Sequence, residues 1–221
     1  TVEDTAALLD VMAHRPTRGS FRAALSQKVP PLRIRVTTQP PHGQTAPEVA
    51  AAVDKVAGLL DNMGHKVSAG PPITGTLEEF LPIYQRLAAN APVPRESLLQ
   101  PVTRWLRQAG RRLPKPLALQ QFQALAARAV EWFSDSDIVV TPTVPILPPA
   151  VLAFASLPPE EAFSRAAVLG AFTAVCNLSG QPGISIPAAR AGALPIGVQL
   201  IGGFEKDALL LQLARALAER L

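Results

Sequence analysis

Apolar positions follow two different periods along this chain, and prolines separate the stretches in which each period holds. Residues 1–12 follow the helical period. Thr1 is a capping residue, Glu3 and Asp4 suit the positive end of a helix dipole, and Ala7, Leu8, Val11 and Met12 form an apolar stripe. Leu32 to Thr38 alternates Leu, Ile and Val with Arg and Thr, which predicts a strand that Pro40-Pro41 ends. Pro47 and Glu48 open a second helix through about Met63, with Val49, Val53, Val56, Leu59 and Leu60 inward and Gly64 as its stop. His65 to Ala69 is a short strand. Strand, helix and strand over this length predict a right-handed parallel crossover.

Further along, Thr76 to about Pro116 reads as helical, with breaks at Pro92–Pro94 and near Gly110. Another helix is predicted over 117–133. Ile138-Val139-Val140 is apolar throughout, as in a strand covered on both faces. Glu160 to Cys176 reads as one helix. Ile184–Pro187 and Gly197–Ile201 read as two strands joined by a loop of alanine and glycine. Lys206–Leu221 is a last helix with Leu209, Leu210, Leu213, Ala214 and Leu217 inward. Helices alternating with short strands predict an α/β fold.

Composition narrows the function classes. The chain has 221 residues, 17% charged and 48% hydrophobic, which excludes general disorder and fits one large domain or two small ones. Its 23 prolines cluster at element boundaries. A single cysteine excludes an internal disulfide or a cysteine zinc cluster, and His14, His42 and His65 lack metal-ligand spacing. No apolar run reaches the roughly 18–20 residues that span a membrane. No targeting signal is readable, so a cytoplasmic location is expected, and a start at Thr1 suggests a processed or truncated chain. The net charge is +4, with one basic cluster at Arg104, Arg107, Arg111, Arg112 and Lys115, read as a solvated helix face. With 5% aromatics, a stacking platform for nucleic acid is unsupported.

Several familiar motifs are missing. There is no GxSxG elbow, no GxxxxGK[ST] phosphate loop and no GxGxxG after a strand. Cys176 has no nearby histidine in sequence and reads as a small buried hydrophobe. His65 reads as a surface or partly packed side chain, and Asp135 and Asp137 as turn residues. The informative stretch runs from Phe172-Thr173 through Asn177, Gly180-Gln181-Pro182 and Ser185 to Pro187, followed by Leu194-Pro195-Ile196-Gly197-Val198-Gln199-Leu200-Ile201-Gly202. Thr173, Asn177 and Gln181 are polar groups set among apolar ones, as in a pocket wall.

This stretch resembles the C-terminal half of the amidase signature family, with its FTxxxNxxGxPxxSxP and LPxGxQLxG patterns. Thr1–Asp10 is similar to the helix after that family's catalytic core, Leu32–Val36 to the next strand, and Asp137–Thr143 to its D-apolar-TPT strand end. The likeness spans nearly the whole chain, with 76–116 uninformative. It implies the C-terminal part of one amidase domain over 1–221, a mixed β-sheet flanked by helices, with a helical insert at about 76–134. It also implies hydrolysis of linear amides by a Ser–cis-Ser–Lys set through an acyl-enzyme. Those residues belong upstream of the segment matching Thr1, so no catalytic residue is carried over and the chain alone is expected to be inactive.

The substrate-binding residues expected from the resemblance are Thr141, Thr143, Gly170, Phe172, Thr173, Asn177 and Gln181. Gly170 stands where the glutamyl-tRNA amidotransferase A subunit has an acidic residue. That and the apolar Phe172 imply an uncharged or hydrophobic amide. No metal or organic cofactor is implied. The expected partners are a small amide and the missing N-terminal half, with neither nucleic acid nor membrane. Two alternatives stay open: a noncatalytic binding or interaction domain derived from this fold, and an amidotransferase A-like subunit.

Overall fold

The structure is a computed structural model that describes residues 1–14 and 19–221. Five strands form one mixed sheet in the order β2-β1-β3-β5-β4. They are β1 (Arg33–Val36), β2 (Lys66–Ala69), β3 (Ile138–Pro142), β4 (Gly183–Ala191) and β5 (Leu194–Gly202). β1 is parallel to both β2 and β3, β5 is antiparallel to β3, and β4 is antiparallel to β5. Helix α3 (Pro47–Asn62) makes the predicted crossover between β1 and β2, with Pro at its first turn and Gly64 at φ 88° just beyond its end.

Strand alternation divides the apolar residues between two layers. Ile138 and Val140 of β3 and Val198 and Leu200 of β5 face α3 and α9 (Asp207–Ala218). There they meet Val53, Val56, Leu60, Leu213 and Leu217, all fully excluded from solvent. Val139 and Ile201 point the other way, onto Trp132 and Phe133 of α6 (Lys115–Phe133) and Val175 of α8 (Ala174–Ser179). Arg35 of β1 lies over the Trp132 ring and donates to the Trp132 carbonyl, so this charged strand residue is partly covered by α6.

The remaining helices are α1 (Val2–Met12), α2 (Phe21–Ala24), α4 (Leu77–Asn90), α5 (Pro101–Arg112) and α7 (Pro159–Ala167). Five expectations are corrected here. On α1 the inward residues are Val2, Ala6 and Leu9, which pack toward α2 and α9, whereas Leu8, Val11 and Met12 are exposed. Thr1 caps the helix as expected, in a capping box with Asp4, but the predicted apolar stripe faces outward. Gly110 does not break a helix. It lies inside α5, where a Cβ would sit 1.9 Å from the Gln85 carbonyl oxygen, so glycine is there to let α4 and α5 approach. The break comes at Leu113-Pro114.

The third correction concerns 160–176, which is not one helix. α7 gives way to a 3-10 turn at Val168–Gly170 before α8 begins. The fourth concerns the final strands, which run longer than predicted. They consume the supposed loop and leave a tight turn at Gly192-Ala193, with Gly192 at φ 59° and an irregularity between Pro187 and Ala189. The fifth is His65, which is buried: its Nδ1 accepts the Leu32 N–H at 3.3 Å. Asp137 does serve the strand start, accepting from the Arg33 backbone N–H at 2.8 Å and from its guanidinium.

Candidate functional site

A cavity of about 460 Å³ lies between α8, which packs on the sheet's second face, and the outer helices α4, α5 and α7. The loops that follow the carboxyl ends of the parallel strands β1 and β2 supply one side, through His42 and Ile73–Thr76. That is where open α/β sheets place ligands, because neighbouring loops diverge there. Proline pairs at Pro40-Pro41 and Pro71-Pro72 release the chain from the sheet into these loops. Thr76 then caps α4 in a capping box with Glu79, whose carboxylate also accepts from Arg128 of α6 at 2.6 Å. The Thr76 N–H and then Arg128 hold the Glu79 carboxyl below the usual carboxylate range, so this corner stays pinned at neutral pH.

The other side comes from α4, α5, α7, α8 and the turn between the last two. Arg107 of α5 holds α5 against α4. It is 5% exposed, donates to the Ala88 and Ala91 carbonyls at the end of α4, and pairs with Glu96 at 2.8 Å. Arg111 also reaches Glu96. The basic cluster is therefore not simply a solvated face, because one of its members satisfies a helix C-terminus.

The sequence-expected residues separate into two groups. Gly170, Thr173 and Asn177 line the cavity. Thr173 Oγ1 donates to the Gly170 carbonyl at 3.4 Å, folding the turn toward it. Phe172 does not line it: the ring is fully buried in the core beneath, against Trp132 and Val139. Thr141 is also fully buried, donating to the Pro142 carbonyl at 2.8 Å. Gln181 is buried and donates to the Gly202 carbonyl at 3.3 Å. Thr143 shares a 2.5 Å hydrogen bond with Ser185 away from the cavity.

Gln199 joins the loops that carry these two groups. Its Nε2 donates to Thr141 Oγ1 at 3.1 Å and to the Phe172 carbonyl at 3.0 Å. The strand end at Thr141 and the turn at 170–173 are thus neighbours, although only the turn borders the cavity. Sequence reasoning did not single out Gln199 as this bridge; a lone glutamine among apolar strand residues was the available signal. It also missed His42, Phe80, Tyr84 and Phe163 on the cavity wall. Phe80 and Tyr84 carried a signal, being two aromatics one helical turn apart in a chain with 5% aromatics.

Cys176 packs on the core side of α8, and burial pushes its thiol up to about 11. It is a thiol at neutral pH and a poor nucleophile. Among the described residues no group of three His, Cys, Asp or Glu is arranged to hold a metal, and no helix is long and apolar enough to cross a membrane. The polar groups on the cavity wall are suited to binding and orienting a neutral molecule.

Comparison with known proteins places this geometry. The Amidase family model matches residues 1–211. The chain is 32% identical over 219 residues to "Putative amidase AmiC" of Mycobacterium tuberculosis, covering 92% of this chain and 46% of that protein. It is 28% identical to 6-aminohexanoate-cyclic-dimer hydrolase of Paenarthrobacter ureafaciens, covering 98% of this chain and 51% of that one. A solved structure of 6-aminohexanoate cyclic dimer hydrolase complexed with substrate superposes with a TM-score of 0.84 at 26% identity, over 100% of this chain and 53% of that chain. The chain thus spans about half the length of the relatives it matches.

Proposed function

The chain belongs to the Amidase family, and from that premise we propose that it forms the substrate-binding half of an amide hydrolase whose catalytic half is a separate segment. The observation that carries this reading is the cavity bordered by Gly170, Thr173 and Asn177, which lies beyond the parallel strand ends and has polar groups from several elements in a mainly apolar lining. In the reaction implied by the family resemblance, a lysine-activated serine pair outside this chain attacks the amide carbonyl. The C–N bond breaks and the amine leaves with a proton. Water then hydrolyses the acyl-serine ester to the acid. The contribution of this chain is positional: holding the non-reacting part of the amide fixes the carbonyl in front of the nucleophile.

Three of the seven proposed binding residues, Gly170, Thr173 and Asn177, act at the cavity. Thr141, Phe172 and Gln181 act from beneath, keeping the 170–181 segment in place through Gln199, Gly202 and the core. Thr143 contributes from the sheet surface with Ser185. The exposed apolar face of α1, with Leu8, Val11 and Met12, supports contact with a further polypeptide segment.

The test is amine release from neutral amides by the 221-residue chain alone, and by the chain fused behind the first half of 6-aminohexanoate-cyclic-dimer hydrolase. No turnover alone and turnover in the fusion support the reading. Hydrolysis by the chain alone overturns the proposal that catalysis lies elsewhere; Cys176→Ala then tells whether Cys176 or another group of this chain carries it.

A further inference from the structure

None of the described residues that line the cavity is a Lys, Arg, Asp or Glu, and three aromatic rings, Phe80, Tyr84 and Phe163, stand in the lining. Phe80 and Tyr84 stand one turn apart on α4, with ring centroids 5.9 Å apart. Tyr84 meets Phe163 of α7 at 5.7 Å and 39°. Phe163 meets Trp105 of α5 at 5.9 Å and 48°. This ladder of tilted rings joins three helices, yet it is not closed over, since Tyr84 remains 44% exposed. Tilted rings with a free face or edge offer the geometry in which another aromatic ring binds best.

The lining also supplies hydrogen-bonding groups. Among the described residues the Asn177 side-chain amide has no partner, and neither has the Thr103 hydroxyl, although both line the cavity. His42 bonds the Ala167 carbonyl through Nε2 at 3.1 Å and leaves Nδ1 without a partner. A charged group brought here would lose its hydration, and no Lys, Arg, Asp or Glu side chain lines the cavity to pair with it. A neutral amide would lose less and regain hydrogen bonds from the free polar groups.

Resting on the amidase reading, we propose that this cavity selects neutral amides that carry an aromatic ring. The ring stacks on Tyr84 and Phe163, and a polar atom of the ligand pairs with Asn177. The ladder then acts as the specificity determinant of the site, and the uncharged lining rejects a carboxylate or an ammonium at the remote end.

Calorimetric titration of the unaltered 221-residue chain tests this with three probes: N-phenylbutanamide, hexanamide and 4-(butanoylamino)benzoate. N-phenylbutanamide should bind about tenfold tighter than hexanamide, and the benzoate should bind weakest of the three. Phe163→Leu and Tyr84→Leu should each weaken the anilide about three- to tenfold while leaving hexanamide nearly unchanged. Tyr84 is partly exposed, so its variant folds even where Phe163→Leu does not. Tyr84→Phe keeps the ring and should bind the anilide as the unaltered chain does. Equal affinities for the three probes, no binding of the anilide, or an anilide affinity indifferent to Tyr84→Leu would overturn the proposal. Failure of the reaction itself is separable. Ring-selective binding by the chain with no turnover in the fused protein removes the hydrolase reading and leaves the pocket. Turnover that ignores the ring removes the pocket inference and leaves the hydrolase.

Discussion

The layer of α3 and α9 on one face of the sheet and the group α4, α5 and α7 on the other solve different problems. On the first face, Val53, Val56, Leu60, Leu213 and Leu217 are fully excluded and fill the space between the helices and the sheet. On the second, α4 buries only Ile83 and Gln85, and α5 buries Leu106, Arg107 and Gly110. The outer helices are joined by a close backbone approach at Gly110, by arginine on helix-end carbonyls and by aromatic edges. Apolar filling makes a closed layer. Helices that must enclose a cavity cannot fill it, so polar and backbone contacts around its rim replace part of the missing core.

The strongest challenge to this contrast is Leu213→Ala. Truncating a fully buried leucine between a helix and a sheet should cost about 2–5 kcal/mol. The loss should appear in urea melts as one earlier transition of the whole chain. A loss below about 1 kcal/mol would mean that the closed layer relaxes, and that its packing is no tighter than that around the cavity.

Arg107→Met tests the other side. It strands the Ala88 and Ala91 carbonyls and removes a partner from Glu96, at an expected cost of about 1–3 kcal/mol. The damage should be local. Amides of α4 and α5 should lose hydrogen-exchange protection, and ring-dependent ligand binding should fall, while protection in β3 and β5 persists. Equal loss in both places would show that the two regions unfold as one.

The same contrast explains what the sequence made legible. Val49, Val53 and Val56 at helical spacing, Gly64 past the helix end and the apolar run Ile138–Val140 state their roles locally, and the sheet with its crossover follows from them. Of the residues expected from the motif at Phe172–Gly202 and from Gly170 just before it, Gly170, Thr173 and Asn177 line the cavity. The motif misplaced Phe172, because a chain pattern does not say which way a ring turns at a 3-10 turn that the pattern itself reads as helix. Tyr84, Phe163 and Trp105 meet only after three helices pack, so no local signal could name them as a set. Gly110 read as a breaker for a similar reason: its use is an approach to Gln85, a residue 25 positions away.

A smaller effect separates the regions by pH. His65 is buried where α3 hands over to β2, and burial holds its imidazole below the ordinary histidine value of 6.5. The folded state prefers the neutral ring. The associated stability is complete above that ordinary value and is lost as pH falls below it, where the unfolded chain takes up the proton first. Urea midpoints measured from pH 7.5 down to 5 should fall, and His65→Gln should flatten that fall. An unchanged slope in the variant would assign acid sensitivity to groups outside the closed layer.

The smallest change in stability at neutral pH concerns the seam between the two regions, where Cys176 on α8 packs beneath the cavity wall and close to Gly183 of β4. A Cβ on Gly183 would sit 3.2 Å from its sulfur, so the seam has little slack. With the thiol pushed up from 9.0 to about 11, the thiolate fraction near pH 8 is about a hundredfold below that of the unfolded chain. Iodoacetamide should therefore alkylate the native chain at least about a hundredfold more slowly than the chain in urea. Stability should be flat up to about pH 9, decline as the unfolded thiol ionises first, and level out only above about 11, a decline that Cys176→Ala should lack. Native alkylation as fast as in urea would mean that α8 lifts from the sheet. The cavity would then be bounded by a moving wall, and the difference between a closed layer and an open one would become a difference in dynamics as well as in packing.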